Sequence, residues 1–236
     1  MTPTPDTPTI GIGRRTPINN WTDAVGHGSV IAMDPTTGQR RWTFEQFDVT
    51  DSGILTTASD LLFTGGREGF FYALDAKTGE LVHSFGSNGA VDLKTDFDQV
   101  IDLEKAPVGL HATPMIANDV VVIGAAFETG ANPRSRENVK GYVRGFDVRT
   151  GRRLWTFHTI PRPGEVGNDT WEKDSANYTG NTGSWAQMSA DEDLGLVYVP
   201  VELPTGDYYG GHRPGSHLFS ESLVALAVKT GVRRWH

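Results

Sequence analysis

One short pattern occurs four times along this chain, and it leaves few folds open. It reads Ala-x-Asp-x-x-Thr-Gly-x-x-x-Trp. The first copy runs from Ala32 through Asp34, Thr37 and Gly38 to Trp42, and the second from Ala73 through Asp75, Thr78 and Gly79 to His83. The third has Gly145, Asp147, Thr150, Gly151 and Trp155; the fourth has Ala225, Ala227, Thr230, Gly231 and Trp235. Apolar residues precede each copy, as in Val30-Ile31, Phe71-Tyr72 and Leu223-Val224, and read as a buried strand. Asp and Thr side chains bond nearby backbone groups in a turn, and glycine supplies a positive φ there. The residues after the glycine then read as the returning strand. Each copy is therefore expected to be a β-hairpin, with the small first residue leaving a slot for the indole.

The turn glycines lie 41, 72 and 80 residues apart. About 40 residues make one four-stranded propeller blade. The longer intervals are either a blade carrying an insertion or two blades with one motif eroded. Insertions are favoured, because 86–110 and 159–183 are polar, rich in Gly, Pro, Asn and Asp, and poor in strand patterning. Long loops on a rigid scaffold are where binding usually sits. Further strands are expected at 61–64, 115–123 and 196–201, and no segment keeps a helical period.

The reading is all-β: a partial β-propeller over 28–236 with about four blades, preceded by an extended or disordered lead-in at 1–27. Three prolines among the first eight residues support that lead-in. An open arc leaves sheet edges exposed, so further blades are expected as partners. The sequence runs out at Trp235-His236, directly after a motif, which adds to the expectation of a fragment.

Composition closes off other functions. A net charge of −8 and a pI near 5.3 argue against a nucleic-acid partner. With no cysteine there are no disulfides and no thiolate metal sites. No apolar run approaches the length that crosses a bilayer, and the first residues lack the basic and apolar regions of a signal peptide.

The repeat resembles the tryptophan-docking motif of the pyrroloquinoline quinone (PQQ) dehydrogenases, an eight-bladed propeller family. Ser84-Phe-Gly-Ser-Asn-Gly-Ala-Val-Asp92, Gly109-Leu-His111-Ala-Thr-Pro114 and Gly141-Tyr-Val-Arg-Gly-Phe-Asp147 look like its glucose-dehydrogenase branch. So do Phe157-His-Thr-Ile-Pro-Arg-Pro-Gly-Glu165 and Thr205-Gly-Asp-Tyr-Tyr-Gly-Gly-His212. These segments lie in stretches a plain blade does not require. Residues 28–80 also resemble the family, although 51–60 and 63–70 look like its closing blades.

The resemblance implies an enzyme that oxidises a sugar or alcohol hydroxyl by passing a hydride to PQQ. It also implies Ca²⁺, a quinone or cytochrome as electron acceptor, and a periplasmic location. Trp185 matches the flat indole beneath the quinone; the competing reading is an ordinary core aromatic. His111 is placed toward the cofactor, with an uninvolved loop histidine as the equal alternative. Ala126 would bring backbone close to the quinone. Glu128 falls where relatives bind Ca²⁺, the alternative being a solvated loop glutamate. Thr205 falls where the sugar-oxidising branch has a threonine, and Leu203 stands where alcohol-oxidising relatives place a calcium-binding asparagine. Trp42, Trp155 and Trp235 are expected to be structural. The family's catalytic aspartate follows a Trp-His dipeptide, and no residue is assigned to that role here.

A second class of function is a non-catalytic propeller scaffold of the outer-membrane assembly lipoprotein type. It would have plain 40-residue spacing, so the long intervals favour the dehydrogenase.

Overall fold

The computed structural model describes residues 28–46, 50, 52–95, 97–103, 106–124, 135–206 and 209–236. The lead-in expected at 1–27 lies outside the described residues.

The chain begins with a hairpin of β1 (Gly28–Met33) and β2 (Arg40–Gln46). Three four-stranded antiparallel sheets follow, each a simple meander in chain order. The first contains β3 (Leu55–Thr56), β4 (Leu61–Gly65), β5 (Phe70–Asp75) and β6 (Ala90–Asp92). The second contains β7 (Met115–Ala117), β8 (Val120–Gly124), β9 (Val143–Asp147) and β10 (Arg153–Phe157). The third contains β11 (Ser189–Asp191), β12 (Leu196–Pro200), β13 (Leu223–Ala227) and β14 (Arg233–Trp235). Each long interval between motifs thus holds one sheet with extended connections, which settles the choice in favour of insertions.

The sheets stack face to face, and strand periodicity explains why. Side chains alternate between the two faces of a strand, so a central strand buried on both faces reads as a continuous apolar run. In β8, Val121 and Ile123 enter one core with Phe63, Phe71 and Phe146, while Val120 and Val122 enter another with Val197, Val224 and Leu226. In β5, Phe71 and Ala73 face the first of these cores, and Tyr72 and Leu74 face a third with Val30. The cores therefore lie between neighbouring sheets.

The four turns behave as their side chains dictate. Gly38, Gly79, Gly151 and Gly231 all have φ near +70°. Asp34, Asp75 and Asp147 each accept two backbone N–H bonds from the turn through Oδ1. Thr37, Thr78, Thr150 and Thr230 accept a further one from the residue two positions on. In the fourth copy Ala227 lacks the carboxylate, and its backbone oxygen takes the N–H of Thr230 and Gly231.

Trp42 and Trp155 join sheet to sheet, while Trp235, in the last sheet, is 45% exposed. Ala32 pairs across its hairpin with Trp42, Gly145 with Trp155 and Ala225 with Trp235. Trp42 Nε1 donates to Ala76 O at 3.1 Å, and Trp155 Nε1 donates to Val228 O at 2.8 Å, both in the next sheet's turn. A side chain on Gly79 or Gly231 would stand 2.6 Å from the docked ring, so glycine is required there twice over. At the middle junction, where His83 replaces tryptophan, a detour through 83–89 fills the place. Gly86 N donates to Thr150 O at 2.8 Å, and Val91 lies against Gly151.

Two expectations need correction. The strand expected over 115–123 is a hairpin, turned by Asn118 and Asp119, both with positive φ. The stretch 86–110 contains β6, and 159–183 contains a 3-10 turn (Asn168–Thr170) and a four-residue helix, α1 (Ser175–Tyr178).

Candidate functional site

In an up-and-down sheet, alternate connections lie at opposite ends of the strands. The Thr-Gly turns share one end with the β7–β8 turn. The β8–β9 and β12–β13 connections share the other end with the long segments that link one sheet to the next. The described residues singled out for the cofactor site belong to this second end. His111 lies in the β6–β7 connection, Trp185 in the β10–β11 connection and Thr205 in the β12–β13 connection. Ala126 and Glu128 fall in the β8–β9 connection and lie outside the described residues.

The structure brings Trp185 and Thr205 onto one scaffold. Segments 180–185 and 202–205 run beside each other, with Glu202 N donating to Gly183 O, Thr182 N to Leu203 O and Thr205 N to Gly180 O. Asn181 Nδ2 donates to Leu203 O at 2.9 Å, and the Thr159 and Thr182 hydroxyls bond at 3.1 Å. The end of β8 packs on the same segment: a side chain on Gly124 would stand 2.4 Å from Ser184 O.

On this base the Trp185 ring is 61% exposed, directly after four buried residues. Within this chain the indole is therefore not packed in a core. Close by in sequence and ladder, three buried polar oxygens have no hydrogen-bond partner among the described residues: Asn181 Oδ1, Ser184 Oγ and Thr205 Oγ1. Their residues are 3%, 0% and 6% exposed. Buried polar groups in folded proteins are nearly always bonded, so three such atoms on the segments that carry Trp185 and Thr205 leave hydrogen-bonding capacity for a further polar partner. A flat, oxygen-rich quinone fits that combination. Asn181 and Ser184 were passed over in the sequence, where only the tryptophan stood out. The signal was present in the non-alternating run Gly-Asn-Thr-Gly-Ser, which no strand explains.

His111 sits on a separate loop, part-buried. Its neighbours Leu110 and Ala112 tie that loop to Gly66 and Ser52, in and beside the preceding sheet. No contact between His111 and Trp185 is recorded among the described residues. Nor do the described residues gather three His, Asp or Glu side chains able to hold a metal ion.

The loop end is fastened by contacts between connections. Trp171 Nε1 donates to Leu218 O at 2.6 Å and Glu172 N to Pro214 O at 3.0 Å, which joins the β10–β11 and β12–β13 connections. Arg153 bonds Asp98 at 2.6 Å, and His158 stands between Glu165 at 2.8 Å and Asp98 at 3.6 Å. Burial raises the Asp98 pKa, but hydrogen bonds from Arg153 and Thr156 and the charges of Arg153 and Arg162 outweigh it, holding the carboxyl below its usual range. Arg144, wholly buried, lays its guanidinium 4.3 Å from the centre of the Phe97 ring.

With this geometry in place, the chain can be compared with known proteins. The family model for the β-propeller domain of PQQ-dependent glucose/ethanol/alcohol dehydrogenases matches residues 21–236 in a single span. The glycerol dehydrogenase large subunit of Gluconobacter oxydans is 35% identical over 164 residues, covering 69% of this chain and 21% of that protein. Quinoprotein glucose dehydrogenase A of Acinetobacter calcoaceticus is 27% identical over 256 residues, covering 92% of this chain and 30% of that protein. The chain thus spans about a fifth to a third of the length of these relatives. Among solved structures, the quinohemoprotein alcohol dehydrogenase of Comamonas testosteroni superposes with a TM-score of 0.69 at 22% identity, over 90% of this chain and 32% of that one. That likeness concerns the fold.

Proposed function

Because this chain belongs to the glucose/ethanol/alcohol dehydrogenase β-propeller family, we propose that it is the part of a PQQ-dependent dehydrogenase that forms one wall of the quinone site. The observation that carries this reading is the exposed Trp185 indole on laddered segments that also hold buried polar oxygens without partners among the described residues. When bound, the quinone would supply hydride-acceptor chemistry for oxidising a sugar or alcohol hydroxyl. The chain's own residues do the holding. Trp185 offers a flat surface to a flat ring. Thr205 Oγ1 and Ser184 Oγ would be available to donate hydrogen bonds, and Asn181 Oδ1 to accept one, in holding the quinone. Those groups are rigidly placed by the 180–185 and 202–205 ladder, so little ordering is left for the moment of binding.

His111 and the backbone at Ala126 belong to the same proposal on the strength of the family resemblance, as does Ca²⁺ at Glu128. The described residues do not themselves assemble a calcium shell, and no step is assigned to the ion. The substrate class, sugar or alcohol, the quinone or cytochrome acceptor and a periplasmic location are likewise proposed from the family. A non-catalytic scaffold would give no reason for an exposed indole over buried hydroxyls, or for connections as long as 158–188 and 201–222.

The test is a titration of the chain with PQQ in the presence of Ca²⁺, followed by tryptophan fluorescence. Weak, saturable binding is expected, and Trp185→Ala should reduce affinity roughly two- to tenfold, the range an aromatic stack supplies. The thermal midpoint should hardly move, because the ring is exposed. Unchanged affinity in Trp185→Ala would remove the site.

A further inference from the structure

The loop end holds a second feature that the quinone reading does not use. A cleft of about 810 Å³ opens between the β6–β7, β8–β9 and β10–β11 connections. Gln99, Asp102, Glu137, Lys140, Asn177 and Tyr178 are among its lining residues. Lys140 is fixed there by its backbone: its N–H donates to Gln99 Oε1 at 3.1 Å, and its carbonyl accepts from Gln99 Nε2 at 3.0 Å. Its side-chain nitrogen donates to the Asn177 carbonyl at 3.2 Å, and no ion pair to Lys140 is recorded among the described residues.

We propose that Lys140 is a carbonyl-trapping site, whose amine condenses in this cleft with small uncharged aldehydes. The nitrogen attacks the carbonyl carbon and a C–N bond forms. Both amine hydrogens then pass to the carbonyl oxygen, which leaves as water, and an imine remains. The step consumes no oxidant or reductant.

The amine's state agrees with this role. Burial alone lowers its pKa to about 8, with no neighbouring charge contributing. A large share is therefore neutral and nucleophilic at mildly basic pH. Lys77 is the contrast: exposed and bonded to Asp60 at 2.5 Å, it has its pKa raised by that hydrogen bond. Besides Lys140, the titratable groups lining the cleft among the described residues are Asp102, Glu137 and Tyr178, which explains the choice of ligand. Two carboxylates repel an anionic carbonyl compound and leave a neutral aldehyde as the preferred partner. Nothing in this proposal depends on the quinone.

The experiment treats the folded chain with propanal and sodium cyanoborohydride, which fixes any imine, and maps labelled lysines by peptide mass spectrometry. Lys140 should label roughly tenfold faster than Lys77 or Lys173 at pH 8, with a rate that rises through pH 8. Pyruvate should label it more slowly than propanal. Lys140→Arg should lose this label alone while keeping the circular dichroism of the parent. Similar rates at all three lysines, or a spared Lys140 in the folded chain, would overturn the proposal. Equal labelling by pyruvate would overturn the choice of ligand.

Discussion

At the hairpin end of the strands, Trp42 and Trp155 meet matching surroundings, whereas at the loop end each connection makes contacts of its own kind among the described residues. Each indole pairs across its own hairpin with a small residue, donates to a carbonyl in the next sheet's turn, and lies on that turn's glycine. The β8–β9, β10–β11 and β12–β13 connections instead fasten to each other through single-use contacts such as Trp171 to Leu218 and Asn138 to Tyr178. The difference shows a division of labour. A repeated junction sets how sheets stack, and that frees the opposite end to vary without loss of the scaffold.

The largest effect that can test this division is at Trp155. The ring is 8% exposed and wedged between Gly145 and Gly231. Trp155→Ala removes the packing and leaves the Val228 carbonyl without its donor. A loss of about 3–5 kcal/mol is expected, read as a lowered urea midpoint. Trp185→Ala, at the other end, should cost almost nothing in the same measurement. Comparable losses at the two tryptophans would break the comparison.

Much of the hairpin end was legible in the sequence because its physics is local. The Asp and Thr side chains bond within three residues of themselves, and the positive φ belongs to the glycine in the motif. The docking role of the indole followed from the small residue opposite it. The junction at His83 was not legible. Its replacement for tryptophan is a backbone detour whose partner, Thr150, lies far along the chain, and only the folded structure brings the two together. The Asn118-Asp119 turn was missed for another reason. Apolar residues flank it so closely that the run reads as one strand, although Asn and Asp are the side chains that tolerate positive φ.

At the loop end, the sequence singled out Trp185 and Thr205 through family resemblance, and the structure places them on one ladder. It did not single out Ser184 or Asn181, because whether a serine is buried without a partner depends on Gly124, Leu203 and the fold that gathers them. A ligand-binding role for small polar residues is a property of their surroundings, and those surroundings come from three connections far apart in sequence.

A smaller effect sharpens the reading of the junctions. Three copies of the motif begin with alanine and one with Gly145. Restoring the commoner residue looks harmless by propensity, since glycine within a strand is unfavourable. The structure says otherwise. A side chain at 145 would stand 2.2 Å from the Trp155 ring, which cannot retreat because Gly231 backs it at 2.6 Å. Gly145→Ala should therefore lower stability by about 1–3 kcal/mol through overpacking. A gain in the urea midpoint would mean that the indole has room to move and that the junction is looser than its contacts imply.

The smallest effect concerns acid. Asp147 has its pKa held below the usual range, first by the Thr150 hydroxyl, which donates at 2.8 Å, and also by the backbone N–H groups of Thr150 and Arg149. A carboxylate with a lowered folded-state pKa adds stability above its unfolded value of about 3.9, and that stability is lost as pH falls through the folded value. Asp147→Asn keeps an acceptor in the same place but removes the charge. Since Asp147 is only part-buried and its carboxylate is screened by solvent, the variant should be less stable at pH 7 by well under 1 kcal/mol. The gap between variant and parent should close as pH is lowered through 4 and below, followed as the thermal midpoint of each. A gap that stays constant with pH would assign the turn's stability to the shape of the side chain alone, and would leave the loop end, with Asp98 bonded to Arg153, as the acid-sensitive region of the molecule.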